Sequence, residues 1–385
     1  MTYKFLKAAI ILTVIFSFTS SCFASEASQA INNFAFNAGK IIAGDWQGSF
    51  FFSPYSIISA FGMAYAGAEG STASEIEQAL GISRDIHTSL GELIGKLSKG
   101  GSVSSANRIW LKEDLKLRKK YTETLRLFYG STVKKLDFKG ETEASRKEIN
   151  AWISGKTNGK INDLLQTLDP ETRMAITNAV YFHSQWDKKF SKSSTRPEKF
   201  WQDSENSTEV PMMRQRDDFG YAEFDGIKIV RLPYEDWGLS MVVVLPPMEN
   251  PDALKYIDAE TFRHWLDAMS TYDVDLWLPK FKTEKRYELK ELFGAMGVKL
   301  AFTDSADFSG ITGDEALKVD AVIHQAFVNT DEEGTEAAAA TAVMMLATSA
   351  MPVEHPKAEF HADHPFMYLI MDGNTILFMG YQSFR

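Results

Sequence analysis

Cysteine is nearly missing from this chain: of 385 residues only Cys22 carries a thiol, and it lies in an N-terminal leader. Once that leader is removed no disulfide can form, so burial and hydrogen bonding must hold the fold in whatever compartment receives it. The motifs of common enzyme chemistry are missing as well. There is no Gly-x-Ser-x-Gly nucleophile elbow, no His-Glu-x-x-His zinc helix, no phosphate-cradling glycine loop and no Cys-x-x-Cys pair. His361 and His364 stand three apart, but in an extended segment they point to opposite faces, so no metal site is expected. With no base placed beside a nucleophile, neither an enzyme nor a cofactor is expected.

Positive surface is scarce too. A formal net charge of -10 excludes a general nucleic-acid binder, which needs basic surface to displace counterions from phosphates. Lys112, Lys116, Lys119 and Lys120 do cluster, and they read as a solvated face. No low-complexity linker, repeat or long charge block marks a boundary. Hydrophobic residues make up 44% of the chain and charged ones 24%, enough for one extensive core, so a single domain over 25–385 is expected.

The leader is the one long apolar run that stands apart. Lys4 and Lys7 precede an apolar stretch over 8–18 and then small residues, the pattern of an export signal with cleavage after Ala24. The stretch is too short for a membrane span. The expected destination is secreted, extracellular or periplasmic, with a lipid anchor through Cys22, after Thr19-Ser20-Ser21, as the alternative. Asn206-Ser207-Thr208 is a glycosylation acceptor that matters only in a eukaryotic secretory pathway.

Local patterns put helices early and strands late, an α+β fold. Ser53 followed by Pro54 predicts an N-cap and first helical residue, with apolar positions carrying that helix to Tyr65. Thr72 with Glu75 predicts a capping box, and 143–153 predicts a helix ending before Gly155. Strands are expected over 174–182, 227–232, 241–245, 274–278, 319–328, 366–371 and 376–379.

The most informative segment is Glu332-Glu333-Gly334-Thr335-Glu336-Ala337-Ala338-Ala339-Ala340-Thr341-Ala342, which opens an uncharged run lasting to Glu354. Propensity alone would make its alanines a helix. Yet Gly334 is a natural hinge, Thr341 and Val343 are β-branched, and every second residue from Thr335 (Thr335, Ala337, Ala339, Thr341) is small. One face of such a strand could slide into a crowded sheet interior.

Further blocks occur in a fixed order along the chain. They include Phe52-Ser53-Pro54-Tyr55-Ser56-Ile57, Ile149-Asn150-Ala151-Trp152-Ile153 and Asn178-Ala179-Val180-Tyr181-Phe182 with Trp186. Leu278-Pro279-Lys280-Phe281 and Ala306-Asp307-Phe308-Ser309-Gly310 precede the hinge, and Ile376-Leu377-Phe378-Met379-Gly380 closes the series. The ordered set resembles the serpins, a family of protease inhibitors, over nearly the whole chain after the leader.

The resemblance implies three β-sheets with about eight or nine helices and an exposed reactive-centre loop near 334–352. It implies a suicide substrate: a serine protease cleaves the loop, and the loop enters the main sheet as a new strand while the protease is still covalently attached. Ser53, Ser56, Asn178 and His324 match the family's polar cluster beneath the point where strands part. They also read plainly as an N-cap, a helix serine and two satisfied buried groups. Trp186, Lys280 and Glu332 match the region where insertion begins, with Lys280 and Glu332 expected to pair.

Counting from the hinge puts the scissile bond between Thr348 and Ser349. The distance to Pro365-Phe366 is longer than usual, with Pro352 and Pro356 in the excess, so the bond is bracketed within 345–351. Every candidate is small or apolar, which fits elastase-, chymotrypsin- or subtilisin-like proteases. Two positions depart from the family pattern: Ser184 stands where glycine is common, and the ending Tyr381-Gln382-Ser383-Phe384-Arg385 lacks a late proline. A monomer is expected, able to form loop-sheet polymers, and the alternative function is a non-inhibitory serpin acting as carrier, chaperone or storage protein.

Overall fold

The computed structural model describes residues 25–44, 48–313, 316–336 and 354–385. The leader with Cys22, the hinge residues Ala337, Ala338, Ala339, Ala340 and Thr341, and the reactive bond Thr348–Ser349 lie outside them. The described residues contain nine α-helices, three short 3-10 helices and sixteen strands.

Helix Pro54–Tyr65 is the centre of the molecule. Ser53 caps it by accepting a hydrogen bond from Ser56 N on its side chain, and Pro54 opens the first turn. All of its residues are buried, as its apolar composition on every face requires. It packs against strands Val103–Lys112, Met174–Phe182 and Thr375–Gln382.

The strands join into two hydrogen-bonded networks. The smaller has seven, in the order Lys134–Leu136, Val103–Lys112, Met174–Phe182, Ala321–Thr330, Gly334–Thr335 and Ser184–Gln185, with Phe281–Glu288 also on Ala321–Thr330. The larger has nine and falls into two halves sharing strand Ser207–Phe224. That strand's earlier part pairs with Arg196–Trp201 and Ser270–Pro279, and its last residues, from Gly220, pair with Ile227–Pro233. The three expected β-layers are thus the seven-stranded sheet and these two halves.

All seven predicted strands are present: Met174–Phe182 has the expected bounds, Ala321–Thr330 is shifted by two residues, and the other five are longer. Ser207–Phe224 was not among the expected strands. Its charges lie on a solvated face, where Arg214 and Arg216 pair with Asp275 and Asp273 across the ladder at 2.7 Å. The capping box does not form. Gly70, at φ 52°, lets that helix start at Gly70, and the two side chains serve other partners. Thr72 Oγ1 accepts from Asp307 N at 2.9 Å, and Glu75 accepts from Lys299 N and Leu300 N. Helix Thr142–Lys156 also runs through Gly155, which has open space around it.

Candidate functional site

Strand Ala321–Thr330 outruns its neighbour Met174–Phe182, and the space left at that end is filled by the chain itself. After Thr330 the backbone turns and returns as Gly334–Thr335, wedged between Thr330 and strand Ser184–Gln185. The turn is closed by Asp331 N donating to Gly334 O at 2.9 Å and Glu336 N donating to Asn329 O at 2.7 Å. Glycine is required at 334 because a Cβ there would sit 2.2 Å from the Ser184 carbonyl oxygen and 2.6 Å from Gln185 Cα. Thr335 is wholly buried, its hydroxyl 2.7 Å from Tyr234 Oη. The first residues of the loop expected to stand out from 334, Gly334 and Thr335, are thus themselves seated in the sheet.

Trp186 organises this end. Its ring stacks on Tyr234 at 4.6 Å, its backbone N–H donates to Glu333 O at 3.0 Å, and its indole Nε1 donates to Asp331 O at 2.9 Å. Lys280 Nζ meets Glu332 Oε2 at 2.7 Å, the expected pair, and Thr195 Oγ1 donates to Glu332 Oε1 at 2.7 Å. Burial pushes the Glu332 carboxyl upward, but the hydrogen bonds from Lys280 and Thr195 outweigh it, so its pKa is lowered. Glu333 is held by Lys192 at 3.0 Å, and Glu336 pairs with Lys160. Ser184, the departure from family pattern, puts its hydroxyl to use: it donates to Asp236 Oδ2 at 2.7 Å.

Below the hinge, Met174–Phe182 and Ala321–Thr330 run parallel and pair from Ala175↔Ala321 to Tyr181↔Phe327, with Asn178 opposite His324. The four residues predicted to meet beneath this seam do meet. His324 Nε2 accepts from Ser53 N at 3.1 Å, so the ring proton is on Nδ1 and is donated to Asn178 Oδ1. Asn178 Nδ2 donates to Ser56 O at 2.9 Å, and Ser53 Oγ donates to Leu377 O at 2.7 Å. Burial drives the His324 imidazole down to about 3, so it stays neutral. The plain and functional readings coincide at Ser53, which is both helix cap and cluster member.

Sequence reasoning missed Asn107 in this cluster. Its Oδ1 accepts from Asn178 Nδ2 and, at 3.2 Å, from Ser56 Oγ. It missed Thr195, Tyr234 and Lys160 at the hinge as well. No local pattern marks these residues, which long-range register alone brings in. The period-two alternation of Val103–Lys112, pairing Ser105 with Asn107 on one face, is the only signal that could have suggested one of them.

A parallel seam over a buried polar cluster, with a hinge strand started at its open end, defines the serpin architecture. The chain belongs to the serpin family: residues 29–383 match the family model described as Serpin (serine protease inhibitor). It is 40% identical over 91% of its length to a serpin-like protein of Thermococcus kodakarensis, 84% of which is covered. It is 36% identical to the leukocyte elastase inhibitor A of Rattus norvegicus, covering 86% of this chain and 92% of that one. Among solved structures, a tumour suppressing serpin superposes with TM-score 0.84 at 27% identity, covering 93% of this chain and 99% of that one. Uncleaved ovalbumin follows with TM-score 0.83 at 28% identity, covering 92% and 99%.

Proposed function

We propose that this protein is not an enzyme but a suicide inhibitor of serine endopeptidases. The observation that carries the reading is the seated hinge. Thr335 already pairs antiparallel with Thr330, and continuing that register places Ala337 opposite Val328, Ala339 opposite Ala326 and Thr341 opposite His324. Those strand partners are buried, so the face that must accept the incoming side chains is crowded. Small residues at these alternate positions are what such a face admits.

The sequence of events follows from covalent chemistry and strand addition. The protease's nucleophilic serine attacks a carbonyl within 345–351, the amine side of the cut leaves, and an ester tethers the protease to the hinge side of the loop. The freed segment then zips between Met174–Phe182 and Ala321–Thr330. About a dozen new strand hydrogen bonds at a net ~1 kcal/mol each supply on the order of 10 kcal/mol before packing is counted. The tethered protease is carried along. Displacing its catalytic groups by about 1 Å costs deacylation ~100-fold, and loss of an oxyanion donor costs as much again or more.

The small, apolar bait and the elastase inhibitor among the relatives favour an elastase-like target, with chymotrypsin- and subtilisin-like enzymes next. No nucleic acid takes part. The leader over 1–24 sends the protein out of the cell as a monomer, with loop-sheet polymers as its failure mode. Incubation with a panel of serine proteases, followed by denaturing electrophoresis, tests the reading. A surviving covalent complex and a released fragment ending at Arg385 are expected, and sequencing that fragment fixes the cut. Cleavage without complex by every protease would instead favour a non-inhibitory role, such as that of a carrier, chaperone or storage protein.

A further inference from the structure

The seam between Met174–Phe182 and Ala321–Thr330 is fastened, at the end away from the hinge, by more than its ladder. Backbone pairing starts at Ala175↔Ala321. One residue earlier, Asp320 N donates to Met174 O at 2.9 Å, and the Asp320 carboxylate reaches back across the gap. Its Oδ2 accepts from Arg173 N at 2.7 Å and from Met174 N at 3.1 Å. A side-chain oxygen thus stands where the next backbone carbonyl of a parallel ladder would be. Arg173 O accepts in turn from Lys112 N at 3.0 Å, so this stitch ties the ends of three adjacent strands.

Among the described residues no cation pairs with Asp320. Lys318, which acts on it electrostatically, is held by Asp304 at 2.6 Å. The two amides are therefore what the carboxylate is placed for, and both belong to the strand that must part from its own.

The register of the hinge leads to this stitch. Continuing the pairing of Thr335 with Thr330 places Val343 opposite Val322 and Met345 opposite Asp320. Met345 opens the 345–351 bracket for the cut, so an ester anywhere in that bracket lies at or beyond the stitch. Every earlier rung exchanges one neutral backbone bond for another. At Asp320 the incoming strand has to displace bonds to a carboxylate, roughly twice as strong as neutral ones, and brings only neutral ones in return.

We propose that Asp320 is a positioning residue for loop insertion: it fastens the far end of the closed seam and makes the last rung the slow one, so that complete travel of the protease waits on its release. Control of that travel rests on the inhibitor reading above, whereas the fastening of the closed seam does not. Asp320→Ala removes the stitch from the closed form and takes little from the inserted one, where the new strand receives the Met174 N–H.

In the intact protein, hydrogen exchange at Arg173 and Met174 should rise in Asp320→Ala about tenfold more than at Asn178. With saturating elastase-like protease, complex formation should be about tenfold faster than in the parent. Asp320→Asn, which keeps an acceptor oxygen without the charge, should give about threefold and keeps the test open if the alanine variant does not fold. The intact alanine variant should melt about 2 °C below the parent, while the two cleaved forms melt together. A role in general stability alone would lower both forms equally.

Unchanged exchange at Arg173 and Met174 would overturn the fastening. Parent rates in both variants, or a cleaved form lowered as much as the intact one, would overturn the control of insertion. The exchange rise without any protease complex from the parent would sink the inhibitor reading and leave the fastening standing.

Discussion

Thr335→Arg should turn the protein from inhibitor into substrate. Thr335 has no solvent exposure, donates to or accepts from Tyr234 Oη at 2.7 Å, and sits between Thr330 and Ser184 in the ladder. An arginine there either keeps the hinge out of the sheet or buries an unpaired charge, at a cost of several kcal/mol. If only about 3 kcal/mol of that reaches the insertion barrier, insertion slows about 100-fold. An insertion step that outruns hydrolysis about tenfold is then outrun by it about tenfold, and the inhibitor consumed per protease silenced rises from near one to about ten. Titration of residual protease activity measures that stoichiometry, and denaturing electrophoresis shows cleaved monomer replacing complex. Thr335→Val is the control, because it keeps the volume and loses only the hydroxyl's contacts, to Tyr234 Oη at 2.7 Å and Thr330 Oγ1 at 3.5 Å, at about 1–2 kcal/mol. Stable complexes from Thr335→Arg at the parent stoichiometry would refute the reasoning.

Three further outcomes are expected. Gly334→Val should unseat the hinge, because its Cβ would lie 2.2 Å from Ser184 O; hydrogen exchange at Thr335 should rise markedly, and protection equal to the parent's would count against the close approach. Cleavage within 345–351 should raise the melting temperature by roughly 15 °C, as about 10 kcal/mol is released in a large domain, and nicked and intact samples melting together in calorimetry would end the spring-loaded reading. Because His324 falls from 6.5 to about 3 on folding, the unfolded chain takes up the proton first, so its stabilising effect is complete above pH 6.5 and is lost as pH falls toward 3. The slope approaches 1.4 kcal/mol per pH unit within that window, His87, lowered to about 4, adds its own, and His324→Gln should remove one of the two from urea midpoints taken between pH 4 and 6.5.

At the hinge only the start can be compared with the structure: Gly334 and Thr335, read from the sequence as a hinge followed by a small residue, form the short strand Gly334–Thr335. Strands such as Met174–Phe182 and Phe366–Asp372 were legible because both faces are buried, which leaves nearly continuous apolar runs. Strand Ser207–Phe224 was not, since its polar face carries paired charges that look like loop composition until Asp273 and Asp275 are placed beside it. The capping box failed for a similar reason: Thr72 and Glu75 find better partners in distant segments than in their own helix. Asn107 and Thr195 could be placed only by register, which a single sequence does not print.

The same register shows how a closed sheet can be both durable and easily opened. Parting Met174–Phe182 from Ala321–Thr330 all at once would break every pairing from Ala175↔Ala321 to Tyr181↔Phe327 and strip His324 of Asn178, leaving buried polar groups unsatisfied at about 1–3 kcal/mol each. On the proposed mechanism, that cost is what would keep the intact molecule from relaxing on its own. A strand entering from Thr335 meets it differently: each residue that docks replaces one rung as that rung is lost, so no stage opens the whole seam. The polar cluster is reached late, when Thr341 arrives opposite His324 with a hydroxyl able to accept the Nδ1 proton that Asn178 gives up. On the proposed mechanism the barrier would therefore be high for a tethered loop, which cannot travel that far, and low for one that has been cut, which is the asymmetry a single-use trap requires.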